Sequence, residues 1–123
     1  MTSRRDVAIN FEQLVVSGQV RSAYDRYVSP DYIHHNPWFE GDRESLILGL
    51  ENSAAEFADK EYEVQRVLED GDLVAVHSRL RPMPQMPEMA IVHIYRFEGE
   101  KIAEEWDLAQ PLPDDSPNAH GLF

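Results

Sequence analysis

The sequence predicts an α+β domain, with three helices laid on one face of a strongly bent, mostly antiparallel sheet that encloses a pocket. Three observations carry this. Apolar residues recur at helical spacing in three separate stretches between Asp6 and Ala58. Two later runs, Tyr62 to Arg81 and Ala90 to Gln110, are rich in β-branched and aromatic residues and each is broken near its middle by a glycine. The resulting order is helix, helix, strand, helix, then four strands in two hairpins, which puts most of the sheet after the helices.

The first helix spans Asp6 to Val16, where Val7, Phe11, Leu14 and Val15 share one face and Gly18 ends the pattern. A second runs from about Gln19 to Val28 with Val20, Ala23, Tyr24 and Tyr27 inward. It stops before Pro30, because a proline disfavours helix at the residue preceding it. Tyr32 to Pro37 reads as a short strand closed by its proline. Asp42 is a suitable N-cap for a third helix to about Ala58, whose apolar face is Leu46, Ile47, Leu50, Ala54 and Phe57.

In the next hairpin Asp70-Gly71 favours a type I′ turn, pairing Val67 with Val74 and Val64 with His77. Val67, Val74, Val76 and Leu80 then share one face, and His77 and Arg79 point the other way. The stretch from Pro82 to Pro87 has too many prolines for a central strand and is expected to be a loop, a candidate lid or dimer-edge segment.

The last hairpin, AIVHIYRFEGEKIAEEWDLAQ, holds two polar residues where a strand favours Val or Ile: His93 and Asp107. Two registers are open. If opposite residues sum to ~200, His93 faces Asp107; a two-residue Gly99-Glu100 loop gives ~199 and sets His93 against Trp106. Alternation makes the choice decisive, since one residue of slip moves Asp107 to the other face.

The chain of 123 residues fits one domain with a real core. Its 11 basic and 23 acidic residues leave a net charge of −12, which argues against nucleic acid or an anionic membrane as partner. There is no cysteine, so disulfides and thiolate chemistry are excluded. Neither an apolar leader nor a membrane-length apolar run is visible, and a cytoplasmic enzyme or binding protein is the default expectation.

This order of elements, with GDLVAVH at 71–77, HNP at 35–37 and EGEKIAEEWDLAQP at 98–111, resembles the nuclear transport factor 2-like superfamily of cone-shaped domains. Within it the chain looks most like the SnoaL-like (polyketide cyclase-like) branch. The likeness covers residues 5 to about 112, and the ending DSPNAHGLF is similar to a subgroup of that branch. It implies a cone domain over 1–112, a C-terminal extension over 113–123, and a homodimer. In SnoaL-like cyclases a histidine of the penultimate strand and an aspartate of the last strand line the cavity, with the aspartate as acid/base. His93 and Asp107 have the matching spacing, which favours the register in which they share a face. Two other branches fit less well. Where ketosteroid isomerases carry an aspartate base and a helix tyrosine, this chain has Asn36 and Phe11; the epoxide hydrolase triad is not supplied by Ile91 and His93.

The resemblance and the residues together nominate Asp107 and His93 as catalytic. Asp107 lies between Trp106 and Leu108, so desolvation is expected to raise its pKa. Asn36, His34, His35, Trp38, Trp106 and Tyr24 are candidates for substrate contact. Adjacent strand residues face opposite ways, so His34 shares Asn36's face unless a bulge exchanges it for His35. No metal or other cofactor is expected, since the five histidines include no HxH or HxxxH spacing. The implied ligand is a small apolar or aromatic carbonyl compound, and the implied reaction is acid/base chemistry at the carbon next to the carbonyl: aldol-type cyclisation, isomerisation or dehydration. A non-catalytic ligand-binding or dimerising domain on the same fold is the alternative. The tail from His120 to Phe123 is a candidate cover for a pocket mouth or a neighbouring subunit.

Overall fold

In the computed structural model, which describes residues 2–123, the elements follow in the order α1 (Arg4–Val16), α2 (Val20–Tyr27), β1 (Val28–His35), α3 (Arg43–Glu56), β2 (Glu61–Asp70), β3 (Leu73–Arg81), β4 (Met89–Glu98) and β5 (Lys101–Pro111). The five strands form one curled sheet in the order β1-β5-β4-β3-β2. β1 runs parallel to β5 and the other neighbours are antiparallel. The helices cover the inner face, with α1 against β2 and β3 and α3 against β1.

Two helices are capped as their sequences demand. Ser3 accepts a hydrogen bond from the Asp6 amide, starting α1 two residues before its first expected position. Asp42 accepts from the Ser45 amide at 2.9 Å and from its hydroxyl at 2.6 Å, fixing the start of α3. Between helices and sheet lies an apolar core built on Phe11, Ala23, Tyr24, Ile47, Val76 and Ile102. Phe11 meets Tyr24 and Tyr95 edge-on, with centroids 5.2 and 5.8 Å apart.

Three local expectations need correction. β1 begins at Val28, ahead of the expected Tyr32, and so contains Pro30. An edge strand tolerates a proline, and the β1–β5 register is irregular between Val28 and Ile33, where the missing amide does least harm. In the β2–β3 hairpin Asp70 pairs with Leu73, so the turn is Gly71-Asp72, and Val67 meets Val76 where Val74 was expected. Gly71 has φ +61° while no non-glycine residue has positive φ, the sign pattern of a type II′ turn. The slip is two residues, so the expected faces survive. A further irregularity at Gln65 pairs Val64 with Ser78.

The last hairpin contains both candidate registers. Next to the two-residue turn, Glu98 pairs with Lys101 and Phe97 with Ile102; beyond it, Arg96 pairs with Glu104 and His93 with Asp107. Ala103 is the extra residue, a β-bulge whose neighbour Ile102 is buried with it. The bulge converts the tight-turn register into the one that sets His93 beside Asp107. Residues 112–123 form turns without helix or strand, and Phe123 tilts against His77 on the outer face of the sheet at 5.4 Å, away from the cavity.

Candidate active site

His93, Tyr95, Glu105 and Asp107 make a square on the inner face of β4 and β5. His93 lies across from Asp107 and Tyr95 across from Glu105. Helix α1 lays Phe11 and Glu12 over this square. Beside it opens a cavity of about 500 Å³, walled by Val15 of α1, Leu46 and Leu50 of α3, and Ile91 and Ala109 of the sheet, with Trp38 at its rim. Apolar walls with a few convergent polar groups are the usual make-up of a small-molecule site.

The imidazole of His93 is surrounded by carboxyl groups. Its Nδ1 lies 3.3 Å from Glu12 Oε2, and its Nε2 lies 3.4 Å from Asp107 Oδ1 and 3.8 Å from Glu105 Oε2. Hydrogen-bond alignment is poor, and Nδ1 counts as unpartnered although Glu12 is within reach. Burial alone would depress the histidine, but the opposing pull of Glu12, Asp107 and Glu105 wins and holds its pKa well above the ordinary value. These carboxyl groups thus favour the protonated form of His93.

Asp107 reverses an expectation. Burial does push its pKa up, but the charge on His93 and the hydrogen bond from Asn36 outweigh it, and the carboxyl sits below its ordinary value. Asn36 donates from Nδ2 to Asp107 Oδ2 at 2.9 Å, and its Oδ1 accepts from the Trp38 amide at 3.0 Å. One side chain thus closes the turn after β1 and orients the carboxylate. Glu105 goes the other way. Burial lifts it to about 7, against the opposing effects of His93 and the Tyr32 hydroxyl, which donates to its Oε1 at 2.5 Å. Two carboxyl groups on one strand face, two residues apart, thus have their pKa values pushed in opposite directions.

Of the residues nominated from sequence, Asp107, His93, Asn36, Trp38 and Tyr24 line the cavity. Trp38 does so from the rim and is 85% exposed. His34 points inward but lies behind the cavity wall, stacked on Tyr32, with Nδ1 accepting from the Asn36 amide and Nε2 unpartnered. His35 and Trp106 do not belong to the cavity. They stack on each other on the outer face, centroids 5.2 Å apart and planes 8° apart, and His35 binds Glu104 at 2.7 Å. The physical reason is strand alternation: β1 keeps a regular pleat from Ile33 to His35, so His34 is the inward histidine, and Trp106 must oppose its neighbour Asp107.

Glu12 and Glu105, 3% and 5% exposed, were missed in the sequence reading. Both had signals. Glu12 completes the stripe Ala8, Phe11, Glu12, Val15 at i, i+3, i+4, i+7, and Glu105 shares the face of Asp107 two residues on. Glu12 Oε2 accepts from the Tyr95 hydroxyl at 2.7 Å, whereas its Oε1 is buried without a partner. Ligand atoms of His93, Glu105 and Asp107 lie within 4.8 Å of one another, near enough to share a divalent cation. A metal there would have to displace the proton that the surrounding carboxyl groups favour on His93.

Comparison with known proteins agrees with the fold. No curated protein sequence matches the chain. Among solved structures it is similar to wild-type IdmH, a putative polyketide cyclase from Streptomyces antibioticus, at 20% identity and TM-score 0.73, over 89% of this chain and 93% of that one. A putative polyketide cyclase from Acidithiobacillus ferrooxidans superposes with TM-score 0.69 at 22% identity, over 89% of this chain and 90% of that one. An uncharacterised cystatin-fold protein from Novosphingobium aromaticivorans gives 0.75 at 18% identity, covering 88% and 99% respectively. No helix among the described residues is long and apolar enough to cross a membrane. The sequence profile of the SnoaL-like domain spans residues 10–105, from the middle of α1 to the second carboxyl group of the cavity square, and with most of the chain so matched, this protein belongs to the SnoaL-like family of the nuclear transport factor 2-like superfamily.

Proposed function

We propose that the protein is a small-molecule enzyme that moves a proton at a carbon flanked by carbonyl groups, with Asp107 as the base. The observation that carries this reading is the cross-strand pair itself: the carboxyl group of Asp107 and the imidazole of His93, side by side in a largely apolar cavity. Asp107 takes the proton from carbon, and the electron pair moves to the carbonyl oxygen. His93 then donates a hydrogen bond to the developing enolate. Asn36 keeps the carboxylate aimed. Because its pKa is depressed, Asp107 is a weak base and suits an acidic C–H, such as that between the two carbonyls of a β-diketone. Ring closure by aldol condensation, isomerisation and dehydration all proceed from the same enolate.

Exchange of the central protons of benzoylacetone for deuterium, followed by NMR, tests the reading. Catalysed exchange above the buffer rate is expected. Tight binding of the diketone with no acceleration would replace the enzyme by its rival, a non-catalytic receptacle of the same fold.

The homodimer implied by the family resemblance is proposed to form through the outer sheet face, where Ile33 and Leu108 are 47% and 54% exposed. Sedimentation at micromolar concentration is expected to give the mass of two chains, and a lone 14.2 kDa species would count against it.

A further inference from the structure

The cavity is not acidic throughout. Where it approaches the loop after β3 it meets a second, smaller hollow of about 250 Å³ formed by Phe57, Pro82 and Met86, and Ser53, Lys60 and Leu80 line both. Lys60 is the only Lys or Arg among the residues that line the main cavity. None of Glu12, His93, Glu105 and Asp107 borders the smaller hollow.

Lys60 shares with Arg4, Arg5, Arg26, Arg66 and Lys101 the lack of an ion pair with a carboxylate among the described residues, but of these it alone lines the cavity. In a chain with 23 acidic and 11 basic residues, a lysine has every opportunity to find a carboxylate. Arg21, Arg43, Arg79, Arg81 and Arg96 all do so. The ammonium of Lys60, partly buried, has no ion-pair or hydrogen-bond partner among the described residues, and its pKa is lowered by burial alone. Leaving a half-desolvated ammonium unpaired costs free energy that a carboxylate partner would return. Its position is fixed by the chain turn after α3, where the Lys60 amide donates to the Phe57 carbonyl at 3.3 Å.

We propose that Lys60 is an anion subsite, and that the ligand of this cavity is an elongated carbonyl compound that carries a carboxylate at the end remote from Asp107. The acidic square would repel that carboxylate, so charge fixes the direction of binding: ketone toward His93 and Asp107, acid toward Lys60. Phe57, Pro82 and Met86 supply apolar surface for the linking carbons, and Met86 adapts readily to their shape. The inference rests on the reading of the cavity as the site of a carbonyl compound.

A matched pair of probes tests it. β-Benzoylpropionate and its methyl ester present the same aryl ketone with and without the negative charge, and their binding can be followed calorimetrically to the wild type, Lys60→Met and Lys60→Arg. The wild type is expected to bind the acid about tenfold more tightly than the ester, as one charge-assisted hydrogen bond implies. Lys60→Met should erase the preference while leaving ester affinity unchanged, and Lys60→Arg should keep it. Equal affinity of the wild type for acid and ester, including no binding of either, overturns the proposal, as does a preference that survives Lys60→Met. Benzoylacetone has no carboxylate, so its exchange by the wild type reports on proton transfer independently of the subsite. Exchange retained without any acid preference removes the subsite and leaves the enzyme; acid preference without exchange in the wild type leaves the subsite and removes the enzyme.

Discussion

Asp107→Asn is expected to lower catalysed exchange of the benzoylacetone protons by about 10²–10⁴-fold, the usual contribution of a positioned base. The amide has nearly the same shape and can still accept from Asn36, so the orientation of the side chain is preserved while its proton affinity is lost. The fold should tolerate the change. His93 keeps Glu12 and Glu105 as neighbours, and one of three crowded carboxyl groups is removed, which offsets part of the lost ion pairing. Circular dichroism and thermal melting should show a folded protein. A folded Asp107→Asn variant with wild-type exchange would take the carboxylate out of the reaction and shift attention to Glu105.

Glu105→Gln is expected to change how stability depends on pH. Glu105 holds its proton more tightly in the folded chain, about 7 against an ordinary 4.5. Such a carboxyl contributes stability that is complete below its unfolded value and disappears as pH rises through the folded one. The contribution is roughly 3 kcal/mol, lost between the two values. Glutamine is the neutral stand-in for the protonated acid: its carbonyl can accept the Tyr32 hydroxyl, and it cannot ionise. Melting temperatures from about pH 5 to about pH 8 should therefore fall steeply for the wild type and much less for the variant, by a margin on the order of 10 °C at the alkaline end. His93 acts with the same sign, because its pKa is raised and its stabilisation also fades as pH climbs. A residual slope in the variant reports that group. Asp107, lowered, weakens the fold only toward acid. Parallel curves for the two proteins would mean that Glu105 is ionised when folded.

Much of this was legible in the residues because the deciding periodicities are strong. The stripe of α3 and its Asp42 cap needed no tertiary information. What failed did so where one residue obeys two rules. Pro30 stops a helix, yet it also sits in an edge strand, and only the neighbouring β5 reveals the second role. Gly71 favours a turn wherever it falls within the two central positions, so the pairing slipped by two. Glu12 and Glu105 were overlooked because a charged residue on an apolar stripe looks like a surface residue until the imidazole that makes its burial tolerable is seen. Trp106 was nominated for its ring, although alternation beside Asp107 already turned it outward.

The surplus alanine in β5 carries more than its small side chain suggests. Because Ala103 alone separates the frame set by the Gly99-Glu100 corner from the frame that holds Asp107, the placement of the polar pair depends on the count of residues and hardly on the identity of this one. Almost any side chain small enough for the site would serve there, whereas a strand one residue shorter would exchange Asp107 for Trp106 inside the cavity with every other letter intact. Grafting this hairpin onto another scaffold therefore means transplanting an arithmetic, and a transplant trimmed to ideal pairing would deliver an indole where a carboxylate was intended.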